Sequence, residues 1–282
     1  MIYAKKVVSL QRIMELRVAL YRAKSWLRHQ LTAWNTGGEG VHSPYLFEMI
    51  RMIIHDSNRF YVWDRIEQQR ERLLRDERAL VFVDYGSGAL VKGEERVQRV
   101  CDVARKSLAQ KKYAQMLARL VNWLGRSADG LKIVELGTSL GVTTAYLAAM
   151  DSRSRVVTYE GCPAVAAMAR ETWEQLGLKN IVCCEGEIDA QKVAEEWDTV
   201  DMAFVDANHT YAGTRVYFNV LADKVHEKSV VVIDDIHGSE EMEQAWQEIC
   251  ADERVASTID MYQMGMVFFD KHYWKRHYKM KI

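Results

Sequence analysis

The chain has 282 residues, 49% of them hydrophobic, and a formal net charge of −1, which suits one α/β core plus an accessory segment. It holds no run of about 18 uncharged apolar residues and opens without a signal peptide's apolar core, so neither a membrane span nor secretion is expected. The five cysteines, at positions 101, 162, 183, 184 and 250, lack metal-finger spacing and read as reduced thiols of a cytoplasmic protein.

The near-neutral total hides an uneven distribution. Residues 1–34 carry seven Lys/Arg against Glu15 alone, and residues 271–282 carry five against none. The chain's 38 basic and 39 acidic residues therefore leave 26 against 38 between these ends, a net of −12. Ile13, Leu16, Leu20, Ala23 and Leu27 form an apolar helical stripe flanked by Arg17, Lys24 and Arg28, and the tail interleaves aromatics with cations. Two readings stay open. The arms meet an anionic surface, membrane or RNA, or the stripe packs on the body while the cations neutralise its acids.

Residues 35–45 are a glycine-rich break ending at Pro44, after which LFEMIRMII resumes a helical pattern. RIEQQRERLLRDER (65–78) reads as a solvated helix face. VFVDYGSGALVKGEE (81–95) runs a short strand into Gly86-Ser87-Gly88 without an apolar helix after it, which predicts a hairpin or loop folding over a site rather than a second cofactor site. Residues 96–125 read as helical.

Thereafter strands are predicted at 131–136, 155–160, 180–184, 200–206 and 228–234, alternating with helices near 141–150, 162–177, 188–196, 211–224 and 239–252. That alternation implies an α/β fold with a doubly wound, mostly parallel sheet. The densest signal is IVELGTSLGVTTAYLAA (133–149): a buried strand, an acidic strand end at Glu135, glycines at 137 and 141, and an apolar helix. Gly137 and Gly141 supply positive φ or bare backbone where a ligand approaches closely. Ser139 stands where a dinucleotide fingerprint has its middle glycine, and Glu135 would face the cofactor and repel a pyrophosphate. A cationic cofactor fits better.

This loop resembles motif I of class I S-adenosylmethionine-dependent methyltransferases, in the form seen in the catechol and caffeoyl-CoA O-methyltransferase branch. The resemblance covers roughly residues 100–270. It implies a Rossmann-like seven-stranded sheet with an N-terminal helical cap, and a division into a cap (1–125), a cofactor-binding domain (126–270) and a basic tail (271–282). It also implies that Glu135, Gly137, Thr138, Ser139 and Gly141 form the cofactor loop. Glu160, 25 residues after Glu135, would take the ribose hydroxyls, and Gly186 and Glu187 would contact adenine.

Chemistry is expected at the carboxyl ends of the fourth and fifth strands of this run. Asp206 ends the fourth; Asp234 and Asp235 end the fifth. Three converging carboxylates suit Mg²⁺ or another hard divalent cation, and the Asp-Asp pair is more similar to sugar O-methyltransferases than to the Asp-Asn of the catechol type. His209 occupies the place of the catechol branch's lysine base, and its imidazole needs little tuning to take a proton near neutrality. His237 is a further base or substrate ligand, with Asp206 sharing in both cofactor and metal binding. Tyr113, Tyr211 and Trp246 are candidates for the acceptor pocket.

The expected activity is S-adenosylmethionine-dependent O-methyl transfer, Mg²⁺-dependent, to a small hydroxylated acceptor. The alternatives are a methyltransferase acting on tRNA or another nucleic acid, suggested by the basic arms, and a non-catalytic cofactor-binding scaffold that those arms tether. A homodimer and a location peripheral to the membrane also stay open.

Overall fold

The computed structural model describes residues 2–34, 37–41, 43–85, 93–272 and 275–282, and of residues 2–16, 84 and 127 the backbone alone. Helices α1 (Ile2–Thr32), α2 (Pro44–Ile53) and α3 (Tyr61–Arg75) come first, followed by an antiparallel hairpin of β1 (Ala79–Asp84) and β2 (Glu94–Arg99). Then come α4 (Val100–Ser107) and α5 (Lys111–Leu124). Strands and helices next alternate through β3 (Lys132–Leu136), α6 (Val142–Ala148), β4 (Arg155–Glu160), α7 (Pro163–Leu176), β5 (Ile181–Glu185) and α8 (Ala190–Glu196). The series continues with β6 (Val200–Val205), α9 (Tyr211–Ala222), β7 (Val225–Asp234) and α10 (Glu240–Ala251), and closes with β8 (Ser257–Asp260), β9 (Met264–Phe268) and β10 (Arg276–Lys279).

The main sheet runs β10-β8-β9-β7-β6-β3-β4-β5. From β7 to β5 every pairing is parallel, and β9 lies antiparallel to both β7 and β8. The chain winds outward from β3 to β4 and β5, then returns to β3's other side with β6. This reversal makes a crevice at the carboxyl ends of β3 and β6, where open α/β sheets take ligands.

Both faces of these strands are covered, so their side chains alternate between two apolar layers instead of between core and water. Ile133, Met202, Phe204 and Val232 pack with Leu117 and Leu120 of α5 on one face. Val134, Ala203, Val205 and Ile233 pack with Phe218 of α9 and Trp246 of α10 on the other. A third cluster joins Trp63 and Ile66 of α3 and Val103 of α4 to Tyr146 of α6 and Trp173 of α7. The N-terminal segments thus share apolar core with the sheet.

Three sequence expectations change. Residues 96–99, read as helical, belong to strand β2. The seven-stranded sheet has eight strands, because the tail supplies β10, paired parallel to β8 from Arg276↔Ser257 to Lys279↔Asp260. Tyr278 and Met280 are buried there, and the flanking cations suit an edge strand. The stripe on α1 does not pack on the body at Leu20, Ala23 or Leu27, which are exposed; the side chains of Ile13 and Leu16 lie outside the described residues. Polar Ser25 and His29 face the body instead. The predicted hairpin is present as β1–β2, whereas Gly86-Ser87-Gly88 lies outside the described residues. Among the described residues, no helix is long and apolar enough to cross a membrane.

Candidate active site

The loop after β3 is held by backbone geometry. Gly137 has φ +99° and donates its N–H to Tyr159 O at 3.0 Å, and a Cβ added there would overlap the Asp206 carbonyl oxygen. The glycine therefore lets the β3 and β6 strand ends approach each other. Thr138 is buried with its hydroxyl 2.6 Å from that of Thr158. Ser139, at φ +49°, points its N–H at Glu160 Oε2, 2.8 Å away. Gly141, at φ +76°, caps α6 and accepts a hydrogen bond from Trp173 Nε1 at 2.8 Å.

Glu135 does not face the cofactor position. Its side chain is fully buried and accepts hydrogen bonds from the Thr144 and Thr158 hydroxyls, the latter at 2.7 Å. Burial outweighs these two donors and pushes its pKa up to about 8, so it is a neutral carboxyl at pH 7. Alternation along β3 explains the correction: the acid points into the sheet layer under the loop.

A cavity of about 690 Å³ opens above the strand ends, inside the usual range for small-molecule sites. Gly137, Ser139, Glu160, Glu187, Asp206, His209, Asp234 and Asp235 line it; Glu135, Thr138, Gly141, Gly186 and His237 do not. Gly186, at φ +102°, instead turns the chain between β5 and Glu187, donating its N–H to Glu160 O at 2.9 Å. The Glu160 carboxylate, at the end of β4, accepts backbone N–H groups from Ser139 and from Cys162 at 2.9 Å, which orient it toward the cavity. Burial raises its pKa against those donors.

Across the cavity, Asp206, His209 and Asp234 each present one ligand atom within 4.8 Å of the others. His209 Nε2 lies 3.3 Å from Asp206 Oδ1. Burial by itself would lower the imidazole pKa, but the hydrogen bond and charge of Asp206, with Asp234 and Asp235 behind it, push it up to about 9. The expectation that His209 needs little tuning is corrected accordingly: without a further cation it is an imidazolium at neutral pH. Asp234 is driven well above the ordinary carboxylate range by burial and by the charges of Asp206 and Asp235, and its Oδ1 is buried with no hydrogen-bond partner.

Asp235 is not part of that cluster. At φ +55° its carboxylate turns toward Gln263 Nε2 at 2.7 Å and the Arg22 guanidinium at 3.4 Å. His237 is corrected too. It is buried behind the cavity, with Nε2 2.9 Å from Asp260 Oδ2 and its ring stacked on Tyr262. The same carboxylate lies 3.2 Å from His29 Nε2 of α1. Burial opposes its ionisation, but the two histidines prevail and hold Asp260 far below the usual carboxylate range. Of the aromatic candidates, Tyr113 lines the cavity; Tyr211 bonds Glu248 on the outside, and Trp246 is core.

Sequence reasoning missed much of the rim. Arg22, Phe82, Tyr85, Arg96, Gln98, Lys106 and Gln110 come from α1, the β1–β2 hairpin, α4 and the α4–α5 turn, and Gln263 with Met264 from the start of β9. Only the hairpin carried a signal, its glycine-broken strand.

Residues 134–236 match the family model described as a methyltransferase domain. Over these residues the chain is similar to methyltransferase domains. Similar solved structures extend beyond the matched segment. A Klebsiella pneumoniae protein assigned as an O-methyltransferase is 16% identical, with 77% of this chain and 94% of that chain covered and a TM-score of 0.53. The SAH-bound methyltransferase PaMTH1 of Podospora anserina is 13% identical, covering 81% and 96%, with a TM-score of 0.52. Cofactor-bound Rv0187 from MTB is 14% identical, covering 80% and 97%, also at 0.52. At such identities the likeness is one of fold. No curated protein matches the chain.

Proposed function

We propose that the chain is an S-adenosylmethionine-dependent O-methyltransferase that alkylates a hydroxyl of a small acceptor and uses a divalent cation, Mg²⁺ by donor chemistry, held by Asp206 and Asp234. The observation that carries the reading is the convergence of Asp206, His209 and Asp234 at one point of the cavity, with a buried Asp234 oxygen that bonds to nothing. Buried like charges are costly unless a cation joins them, and two carboxylates beside open space suit a hard ion that keeps several waters. His209 either completes the ligand set or stands beside it as the base. Asp235 would serve from behind, through Gln263 and Arg22, by fixing the turn after β7.

The cofactor supplies an electrophilic sulfonium methyl, and the cation would orient the acceptor and favour its ionised form. This chain's own residues do the rest. Glu160 accepts the ribose hydroxyls, and Ser139 holds Glu160 in place. Glu187 flanks the base. Tyr113 closes the acceptor side, and the hairpin residues Phe82 and Tyr85 exclude water from above. Where His209 stands beside the ligand set, it would take the hydroxyl proton, and a cation held by Asp206 and Asp234 would supply the positive charge that frees the imidazole to act as a base.

The test separates cofactor from cation. Calorimetry with S-adenosylhomocysteine should give the same affinity with and without EDTA, while methyl transfer to catechol-type and sugar acceptors should vanish in EDTA and return with Mg²⁺. Full transfer in EDTA, or an Asp234→Asn enzyme with unchanged turnover, would remove the cation from the mechanism.

A further inference from the structure

Helix α1 is docked the unexpected way round. Its polar side faces the body: the Tyr21 hydroxyl and Arg28 reach Glu243, Arg22 Nε donates to Gly238 O at 2.9 Å, and Ser25 and His29 are buried. Its apolar side faces water, with Leu20 63%, Leu27 54% and Leu31 79% exposed, and Trp34, just past the helix end, 67% exposed. Leu20 and Leu27 stand seven residues apart, which keeps them on one line of the α-helix. A docked helix ordinarily buries its apolar stripe. A ridge of this size left outside marks an interaction face.

We propose that this outward face of α1 docks on an anionic lipid surface. Charge selects the occupant. Residues 17–34 contain Arg17, Arg22, Lys24 and Arg28 and no acidic residue. Arg17 and Lys24, which flank the ridge, are exposed and bond to none of the described residues. A second copy of α1 laid along the ridge would set cation against cation at the flanking positions that choose helix partners. RNA would take the cations and leave the leucines in water. A bilayer interface of anionic headgroups accepts both, with leucines entering the acyl boundary, the cations at phosphate level and Trp34 at the interface where indoles accumulate. Since no described helix can span a bilayer, the helix would lie on the surface.

The experiment uses the full chain and vesicles of phosphatidylcholine with and without phosphatidylserine. Co-sedimentation should appear with the mixed vesicles at low salt, fall steeply toward physiological salt and be absent with phosphatidylcholine alone. A Leu20→Glu/Leu27→Glu variant, altered only at exposed positions, should keep its melting temperature and S-adenosylhomocysteine affinity and bind the mixed vesicles about a hundredfold more weakly. Four results overturn the proposal: no binding by the intact chain at low salt, equal binding to both vesicles, or binding that survives the double substitution. The fourth is a dimer in light scattering that the substitution dissolves, which would make the partner a second copy. RNA capture without vesicle binding falls under the first.

Discussion

Asp206 and Asp234 reach the cavity from the ends of β6 and β7, two adjacent strands of one parallel sheet, whereas Arg22, Arg96 and Lys106 reach it from α1, β2 and α4, none of which belongs to that sheet. The floor is acidic and set by hydrogen-bonded register. The rim is basic and set by side-chain packing between separate elements. The contrast shows how one cavity can present carboxylates below and basic side chains at its entrance. It also means that the two halves should fail differently when perturbed, the floor through backbone geometry and the rim through loosened docking.

The largest effect is expected at the floor. In Gly137→Ala the new Cβ meets backbone at the β6 end, and the residue must hold φ +99°; a loss of about 4 kcal/mol or more should appear in denaturant melts, with cofactor binding abolished. A stable variant that still binds S-adenosylhomocysteine would show that the strand ends can part without harm.

The rim comes next. Asp260→Asn removes the charge that ties His29 of α1 and His237 to the sheet, and should cost about 2–3 kcal/mol. Because the folded carboxylate is held below its unfolded value, its contribution is present above about pH 4 and lost as pH falls further. The wild type's advantage over Asp260→Asn should therefore shrink on acidification; an advantage constant with pH would assign the loss to packing alone.

A smaller effect probes the cofactor side of the floor. Glu160→Ala should weaken S-adenosylhomocysteine binding by about 1–3 kcal/mol, on the scale of charge-assisted hydrogen bonds, with the melting temperature of the free protein little changed. Unaltered affinity in calorimetry would leave Glu160 as a brace for Ser139 only.

Glu135→Gln should do least. The native carboxyl is already neutral at pH 7, so the amide should cost at most about 1 kcal/mol in hydrogen-bond geometry. Its pH signature is the sharper readout. The folded pKa is raised, so the native state keeps a proton that the unfolded chain releases, and this site's contribution to stability falls as pH rises from about 4.5 to 8. The Gln variant should lack that slope, and a slope identical to wild type would mean that Glu135 is ionised in the fold.

Sequence by itself determined the alternation of strands and helices from β3 onward, the glycine turn after β3 and the strand-end positions of Glu160, Asp206 and Asp234. Each of these follows from local periodicity and from backbone freedoms only glycine has, so each is written within a few consecutive residues. Tertiary structure decided the rest. Asp234 and Asp235 are neighbours in sequence, yet a positive φ at Asp235 sends one to the cluster and the other to Gln263. His237 and His29 are 208 positions apart and meet only because α1 folds over the β8 end to share Asp260. The tail's interleaved cations and aromatics carry no strand signal of their own, and they form a strand because β8 offers an edge to pair with. Long-range pairings and the direction of a single side chain depend on what arrives from elsewhere in the chain, which no local pattern encodes.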